Sequence, residues 1–325
     1  MTYLFALPNT HFAIRAEQIL LERIENVFVM PLPSVIKSGC GICLRVQKED
    51  VDVSMDILNK NQIPYTLYYI LEEEGKKQYK PVLGGILCSH FSIKKKEMIS
   101  ITGCRGKTTL LYKLGEELKM FPVLLSTTTK MFPPEMGQVD YKYVEGGQCI
   151  RITPPLSAGR YYISEYDEEL KKCTAISPQS LKELSLNFYA TIIEADGSRG
   201  LPIKGYDVNE PCTPRDTTLT IGVVSIKSIG SKVEEDIVLH IDEFCNMIGI
   251  KRGEIITPRH IGQWIAHNKG MFKDSNTRKI LFFNQIESVE EEKIVQEIIQ
   301  EIPKDFQLDG ILSGSLKNGK YQQIV

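Results

Sequence analysis

The sequence predicts an α/β protein in two units, a small α+β unit followed by a larger parallel sheet with helices on both faces. Three observations predict it. Short apolar or β-branched runs bounded by turn residues recur along all 325 residues. From residue 89 onward, stretches of helical period stand between them. The first 75 residues carry the tighter succession β-α-β-β-α-β. The boundaries expected from this are 1–75 for the first unit, 76–88 for a linker and 89–325 for the second.

The first unit opens on "YLFAL" (Tyr3 to Leu7), a short apolar strand. In "THFAIRAEQILLERI", Phe12, Ala13, Ala16, Ile19, Leu20 and Ile24 recur at a helical period, with Thr10 expected as N-cap. "NVFVMPLP" and "GICLRVQ" read as strands, "EDVDVSMDILNKN" as a helix and "YTLYYILEE" as the fourth strand. That order is the ferredoxin-like split βαβ arrangement. The mixed "EEEGKKQYKPVLGG" after it reads as a flexible, glycine-containing tether.

The second unit starts with the apolar strand "EMISIT". "VLLSTTTK", "YATIIEAD", "LTIGVV", "RKILFFN" and "LDGILSG" are further strand runs. Helices are expected after Gly106, after Ser177-Pro178 and Thr257-Pro258 (N-cap then proline), and after Glu287.

Composition narrows the functional classes. A formal net charge of −2, from 39 basic and 41 acidic side chains, argues against nucleic acid or an anionic membrane as partner. No apolar run approaches the roughly 20 residues of a spanning helix. The start lacks a basic region ahead of its short apolar stretch, so no signal peptide is expected. Eight irregularly spaced cysteines fit reduced thiols in a cytoplasmic protein better than a disulfide framework.

The chemistry centres on "TGCRGKTT", Thr102 to Thr109. Phosphate binding needs backbone N–H groups, a helix N-terminus and a cation. Gly103 and Gly106 let the backbone approach an anion, and "TTLLYKLGEEL" starts a helix at once. Lys107 is placed to reach the outer phosphates of ATP or GTP, and the Thr108 hydroxyl to ligate Mg²⁺. Gly103, Cys104, Arg105, Gly106, Lys107, Thr108 and Thr109 are therefore the expected nucleotide contacts. Ile101 stands where the usual longer motif has its first glycine; the short form Gly-x-x-Gly-Lys-Thr-Thr resembles that of Mur-type ligases.

Two later strand ends support the loop. "YATIIEADGSRG" delivers Glu194 and Asp196 to the edge where open α/β sheets bind ligands. A carboxylate there holds Mg²⁺ or orients the attacking water, and Asp196 is the expected metal ligand beside Thr108. Thr127 to Thr129 fit either metal or phosphate contacts or plain β-branched strand residues. "FFNQIES" ends another strand where GTPases carry Asn-Lys-x-Asp. Here Asn284, a further expected nucleotide contact, and an acid one methylene longer, Glu287, remain, which leaves the base open.

Taken together, "GCRGKTTLLYKLGEEL", "VLLSTTTKMFPPE", "IIEADGSRGLPIKG" and "FFNQIES" resemble the YqeC-type accessory proteins of selenium-dependent molybdenum hydroxylases, over about residues 90 to 315. The resemblance implies a P-loop NTPase fold and a role in selenium cofactor biosynthesis and hydroxylase maturation. It implies as partners the hydroxylase or its molybdenum cofactor and a selenium donor protein. Cys104 and Arg105 depart from the small residues usual in that family, which makes hydrolysis less secure than binding. Independently, "SGCGICLRV" within the first 75 residues is similar to selenium/sulfur carrier-like domains.

Residue chemistry adds to the carrier reading. Cys40 lies between Gly39 and Gly41, with Lys37 and Arg45 near in sequence to favour the thiolate. Cys43 completes a Cys-x-x-Cys, but strand alternation favours a core position for it. A zinc site lacks two further ligands. Arg199 and Lys204 fit either an anionic partner, such as a pterin phosphate, or solvated loop charges. His260 and His267 fit helix-surface packing. Three functions compete: a maturation NTPase with catalytic Lys107, Glu194, Asp196 and Cys40, a Mur-like ATP-dependent ligase or kinase, and a non-hydrolysing nucleotide-sensing scaffold.

Overall fold

The structure is a computed structural model that describes the chain except residues 1, 37–40, 62, 64, 74–75, 82–85, 146–151, 153, 276 and 325. The chain divides into two compact units, 1–89 and 90–325.

The first unit contains β1 (Thr2–Ala6), α1 (Thr10–Leu21), β2 (Phe28–Pro31), β3 (Ile42–Gln47), α2 (Val51–Lys60), β4 (Thr66–Glu73) and β5 (Lys76–Pro81), and α3 (Ile86–His90) spans the division. Its sheet runs β2-β3-β1-β4-β5 with every neighbouring pair antiparallel. Alternation along the strands sorts the side chains. Phe5, Leu44 and Val46 join Ala13, Leu20 and Leu58 of the helices in one core, while Leu4, Ile36 and Cys43 form a second cluster. Cys43 thus takes a fully buried core position.

Two expectations are corrected here. Asn9, not Thr10, caps α1: its side chain accepts from the Phe12 N–H at 2.9 Å, and Thr10 is already the first helical residue. An amide oxygen one position earlier reaches the orphan donor that Thr10 would have served. The expected linker 76–88 begins with a strand, because β5 pairs with β4 from Glu73↔Lys76 to Tyr68↔Pro81. Its lysines read as tether composition, yet charged residues are normal on an edge strand, where they discourage further pairing.

The second unit begins with β6 (Glu97–Gly103), α4 (Lys107–Glu117), β7 (Pro122–Thr127), β8 (Tyr141–Glu145), β9 (Gly159–Asp167) and β10 (Lys172–Thr174). It continues through α5 (Pro178–Ser185), β11 (Ala190–Glu194), β12 (Ile203–Lys204), β13 (Leu219–Ser225), β14 (Val238–Leu239), α6 (Ile241–Ile248) and α7 (Pro258–Ala266). It closes with β15 (Arg278–Asn284), α8 (Val289–Glu301), β16 (Gly310–Ser315) and β17 (Lys320–Gln323). The main sheet has the order β10-β9-β7-β11-β6-β13-β15-β16-β17, with β8 on β9. From β9 to β16 all pairs are parallel; β10 and β17 close the ends antiparallel. The chain moves outward to one side of β6 and then to the other, so β6 lies at the point where strand order reverses, the position where such sheets bind ligands.

β6, β11 and β13 are buried along their whole length, which is why they read as continuous apolar runs instead of alternating ones. One core cluster joins Val224 and Phe283 of the sheet to Phe244, Ile261, Trp264 and Ile298 of the helices. Trp264 is fully buried and its Nε1–H donates to the Lys204 carbonyl at 2.7 Å, tying α7 to β12. Trp264→Phe keeps most of the packing but leaves that carbonyl without its donor, and should cost about 1–3 kcal/mol in urea denaturation followed by circular dichroism.

Candidate functional site

The site forms where β6 turns into α4, against the end of the adjacent β11. The turn needs its glycines. Gly103 has φ +95° and a Cβ there would lie 2.1 Å from the Val223 carbonyl oxygen. Gly106, with φ +125°, caps α4, and its Cβ would meet the Asn284 amide at 2.2 Å. Between them Arg105 holds φ +54° and directs an exposed side chain outward.

Lys107, the first residue of α4, is 3% exposed. Its ammonium lies 3.0 Å from Asp196 Oδ1 and donates to the Gly103 carbonyl at 2.6 Å and to Ser198 Oγ at 3.2 Å. Asp196 is fully buried and its other oxygen accepts the Gly103 N–H at 2.9 Å. Beside them the Thr108 hydroxyl donates to Glu194 Oε2 at 2.7 Å. Burial opposes the charge on Lys107, but Asp196 and Glu194 outweigh it and hold its pKa above the usual lysine value. Burial likewise raises the Glu194 pKa, against the opposing pull of Lys107 and the Thr108 hydrogen bond.

Most of the expected residues therefore meet, with different assignments. Glu194, not Asp196, stands opposite Thr108; both Asp196 oxygens face Lys107 and the loop backbone. Cys104 turns away from the loop into the core, its N–H donating to the Val223 carbonyl, and burial pushes its thiol up to about 12. Asn284 sits behind the loop, donating to the Arg105 carbonyl and accepting the Leu316 N–H, both at 3.1 Å. Thr127 ties β7 to β11 through the Glu194 carbonyl at 3.1 Å. Thr109 is exposed on the first turn of α4. Lys204 is fully buried, gripping the Gly197 carbonyl and Glu210. His260 reaches back to the Thr257 N–H at the start of α7. Cys40 and Lys37 lie outside the described residues.

Ser198 went unread in the sequence, although it lies two residues after Asp196 and completes the ring around Lys107. A cavity of about 600 Å³ opens here, lined by Arg105, Lys107, Thr108, Glu194, Ser198 and Arg199 among others. That volume lies within the range of small-molecule sites.

Fold and site define an α/β protein with a strand–loop–helix cradle at the reversal point of a mostly parallel sheet. Residues 99–242 match the family model described as "YqeC protein", and residues 2–70 the one described as "Putative Se/S carrier protein-like". The chain therefore joins an Se/S carrier-like domain to a YqeC-family domain. One curated relative, "Uncharacterized protein YqeC" of Escherichia coli (strain K12), is 27% identical over 216 residues, 64% of this chain and 83% of that protein. No solved structure matches. Among the described residues no helix is long and apolar enough to cross a membrane.

The ion pair sets two expectations. Lys107→Met leaves Asp196 buried and uncompensated and should destabilise the protein by about 3–5 kcal/mol in urea denaturation, whereas Lys107→Met/Asp196→Asn should recover most of that loss. Glu194 contributes in the opposite sense. Its raised folded pKa means the folded state holds a proton that the unfolded chain has released, so its contribution to stability falls as pH rises above the ordinary carboxylate range. Glu194→Gln keeps an acceptor for Thr108, and its stability measured against pH should lack that decline.

Proposed function

We propose that this protein is a nucleotide-binding, NTP-hydrolysing accessory factor for selenium cofactor biosynthesis and the maturation of selenium-dependent molybdenum hydroxylases. The observation that carries the nucleotide reading is the meeting of Lys107, Thr108 and Glu194 in one cavity at the reversal point of the sheet, with Asp196 buried behind the Lys107 ammonium. The strand order β7-β11-β6-β13-β15, with the loop on the central strand, supports a P-loop NTPase-type fold. The order β2-β3-β1-β4 with two helices supports a ferredoxin-like first unit.

In this reading the N-terminal end of α4 and the Gly106 turn receive the phosphates, and the Lys107 ammonium transfers from Asp196 to the outer phosphate oxygens. Asp196 keeps that ammonium charged and fixes the loop through the Gly103 N–H. Thr108 and Glu194 offer a hydroxyl and a carboxylate, oxygen donors suited to Mg²⁺. Bound there with the nucleotide, the ion supplies charge neutralisation at the phosphates. Glu194, which lines the cavity, is the carboxylate offered to orient an attacking water, and Asp196 acts on the reaction through Lys107.

The selenium part of the reading rests on the two matched families and on the sequence around Cys40, flanked by Gly39 and Gly41. Cys40 is the carrier thiol in this reading, taking selenium from a donor protein, and the nucleotide domain engages the hydroxylase or its cofactor.

Thr108→Val preserves volume and removes the hydroxyl. Equilibrium binding of labelled ATP and GTP should show Mg²⁺-dependent affinity in the wild type that drops at least about tenfold in this variant. Mass spectrometry of protein from selenium-fed cells should find selenium on Cys40 and none on the Cys40→Ser protein. Absence of nucleotide binding would end the NTPase reading; absence of selenium would end the carrier one.

A further inference from the structure

We propose that the base of the bound nucleotide is guanine and that Glu287 reads it. This rests on the nucleotide reading above and adds the substrate class. The ends of β15 and β16 lie side by side directly behind the phosphate loop. The Asn284 amide joins all three segments, holding the Arg105 carbonyl on the loop and the Leu316 N–H beyond β16. With both ends engaged and only 5% exposed, Asn284 positions the loop and does not read a ligand. Gln285 takes φ +69° and its Oε1 accepts from Ser225 Oγ at 2.9 Å, so it too is turned to a partner within the protein.

Glu287 differs from both. It is exposed, and its backbone N–H donates to Glu291 Oε2 at 2.7 Å, which fixes the main chain ahead of α8. Ser315, 2% exposed at the end of β16, donates its hydroxyl to Glu287 Oε1 at 2.8 Å. Ile286, buried between them, donates its N–H to the Gly314 carbonyl at 3.0 Å and locks the register of the two strand ends. The result is an exposed carboxylate held in place three residues beyond the Asn284 contact with the loop, with Oε2 lacking a partner among the described residues.

A carboxylate only accepts. Guanine presents two adjacent donors, N1–H and the N2 amino group, which pair with both oxygens of one carboxylate. Adenine presents an amino donor beside the N1 lone pair, so the same carboxylate gains one hydrogen bond and meets one repulsion. Charge-assisted pairs of this kind discriminate by roughly ten- to a hundredfold at a partly solvated site.

The test is equilibrium competition on the full-length chain with Mg²⁺, using fluorescently labelled GTP displaced by GTP, ATP or XTP. The expected result is GTP bound at least about tenfold more tightly than ATP. Glu287→Gln replaces one acceptor by a donor, the complement of xanthine, which carries a carbonyl where guanine has its amino group. That variant should lose GTP affinity and gain XTP affinity, a reversal that a merely structural role for Glu287 would not produce. Ser315→Ala should lower the GTP preference and leave ATP unaffected. Equal affinity for GTP and ATP, or a Glu287→Gln protein with unchanged preferences, overturns the guanine assignment while leaving the phosphate site standing. Failure of all three nucleotides to bind overturns both.

Discussion

The buried ion pair of Lys107 and Asp196 is the constraint around which the second unit is arranged. Two opposite charges, both almost free of solvent, hold together only if each is surrounded by further partners. The loop and the segment after β11 supply them: the Gly103 carbonyl and Ser198 hydroxyl for the ammonium, the Gly103 N–H for the carboxylate. Because Lys107 opens α4 and Asp196 follows β11, the pair fixes the helix start against a neighbouring strand. The same contacts force the backbone at Gly103 and Gly106 into conformations with no room for a Cβ. Sequence, backbone and charge are coupled at one point.

That arrangement also divides the loop between inside and outside. Cys104 packs into the core and anchors the turn to β13, Arg105 points to solvent, and Asn284 braces the loop from behind. An anion that competes for Lys107 exchanges one negative partner for another, so its charge need not be desolvated anew. Affinity in such a site depends on the difference between two ion pairs, not on the whole of one.

Much of this was legible in the sequence because its signals are local. The helix starts after Ser177-Pro178 and Thr257-Pro258, the run "EMISIT" and the glycine spacing of the loop each report on neighbouring residues alone. What stayed hidden depends on residues distant in the chain. Which carboxylate faces Thr108 is set by the parallel pairing of β6 with β11, some ninety positions apart, and it is Glu194 where Asp196 was expected. β9 and α6 went unread for other reasons: β9 mixes tyrosines with charges, and α6 follows His240, which takes a left-handed conformation and provides no side-chain cap. β5 was masked by lysines that suit an edge strand as well as a tether. Cys40, read from its flanking glycines, lies outside the described residues.

Trp264 is the single tryptophan of the chain. Its indole N–H is bound to the backbone of Lys204, and the ammonium of Lys204 grips the Gly197 carbonyl, the residue next to Asp196. Two hydrogen bonds thus connect the only indole chromophore to the segment that faces the loop between β6 and α4. The protein carries an intrinsic optical reporter on its own site: emission on excitation of that one ring follows any rearrangement of the Asp196 segment, without a label and without interference from a second indole.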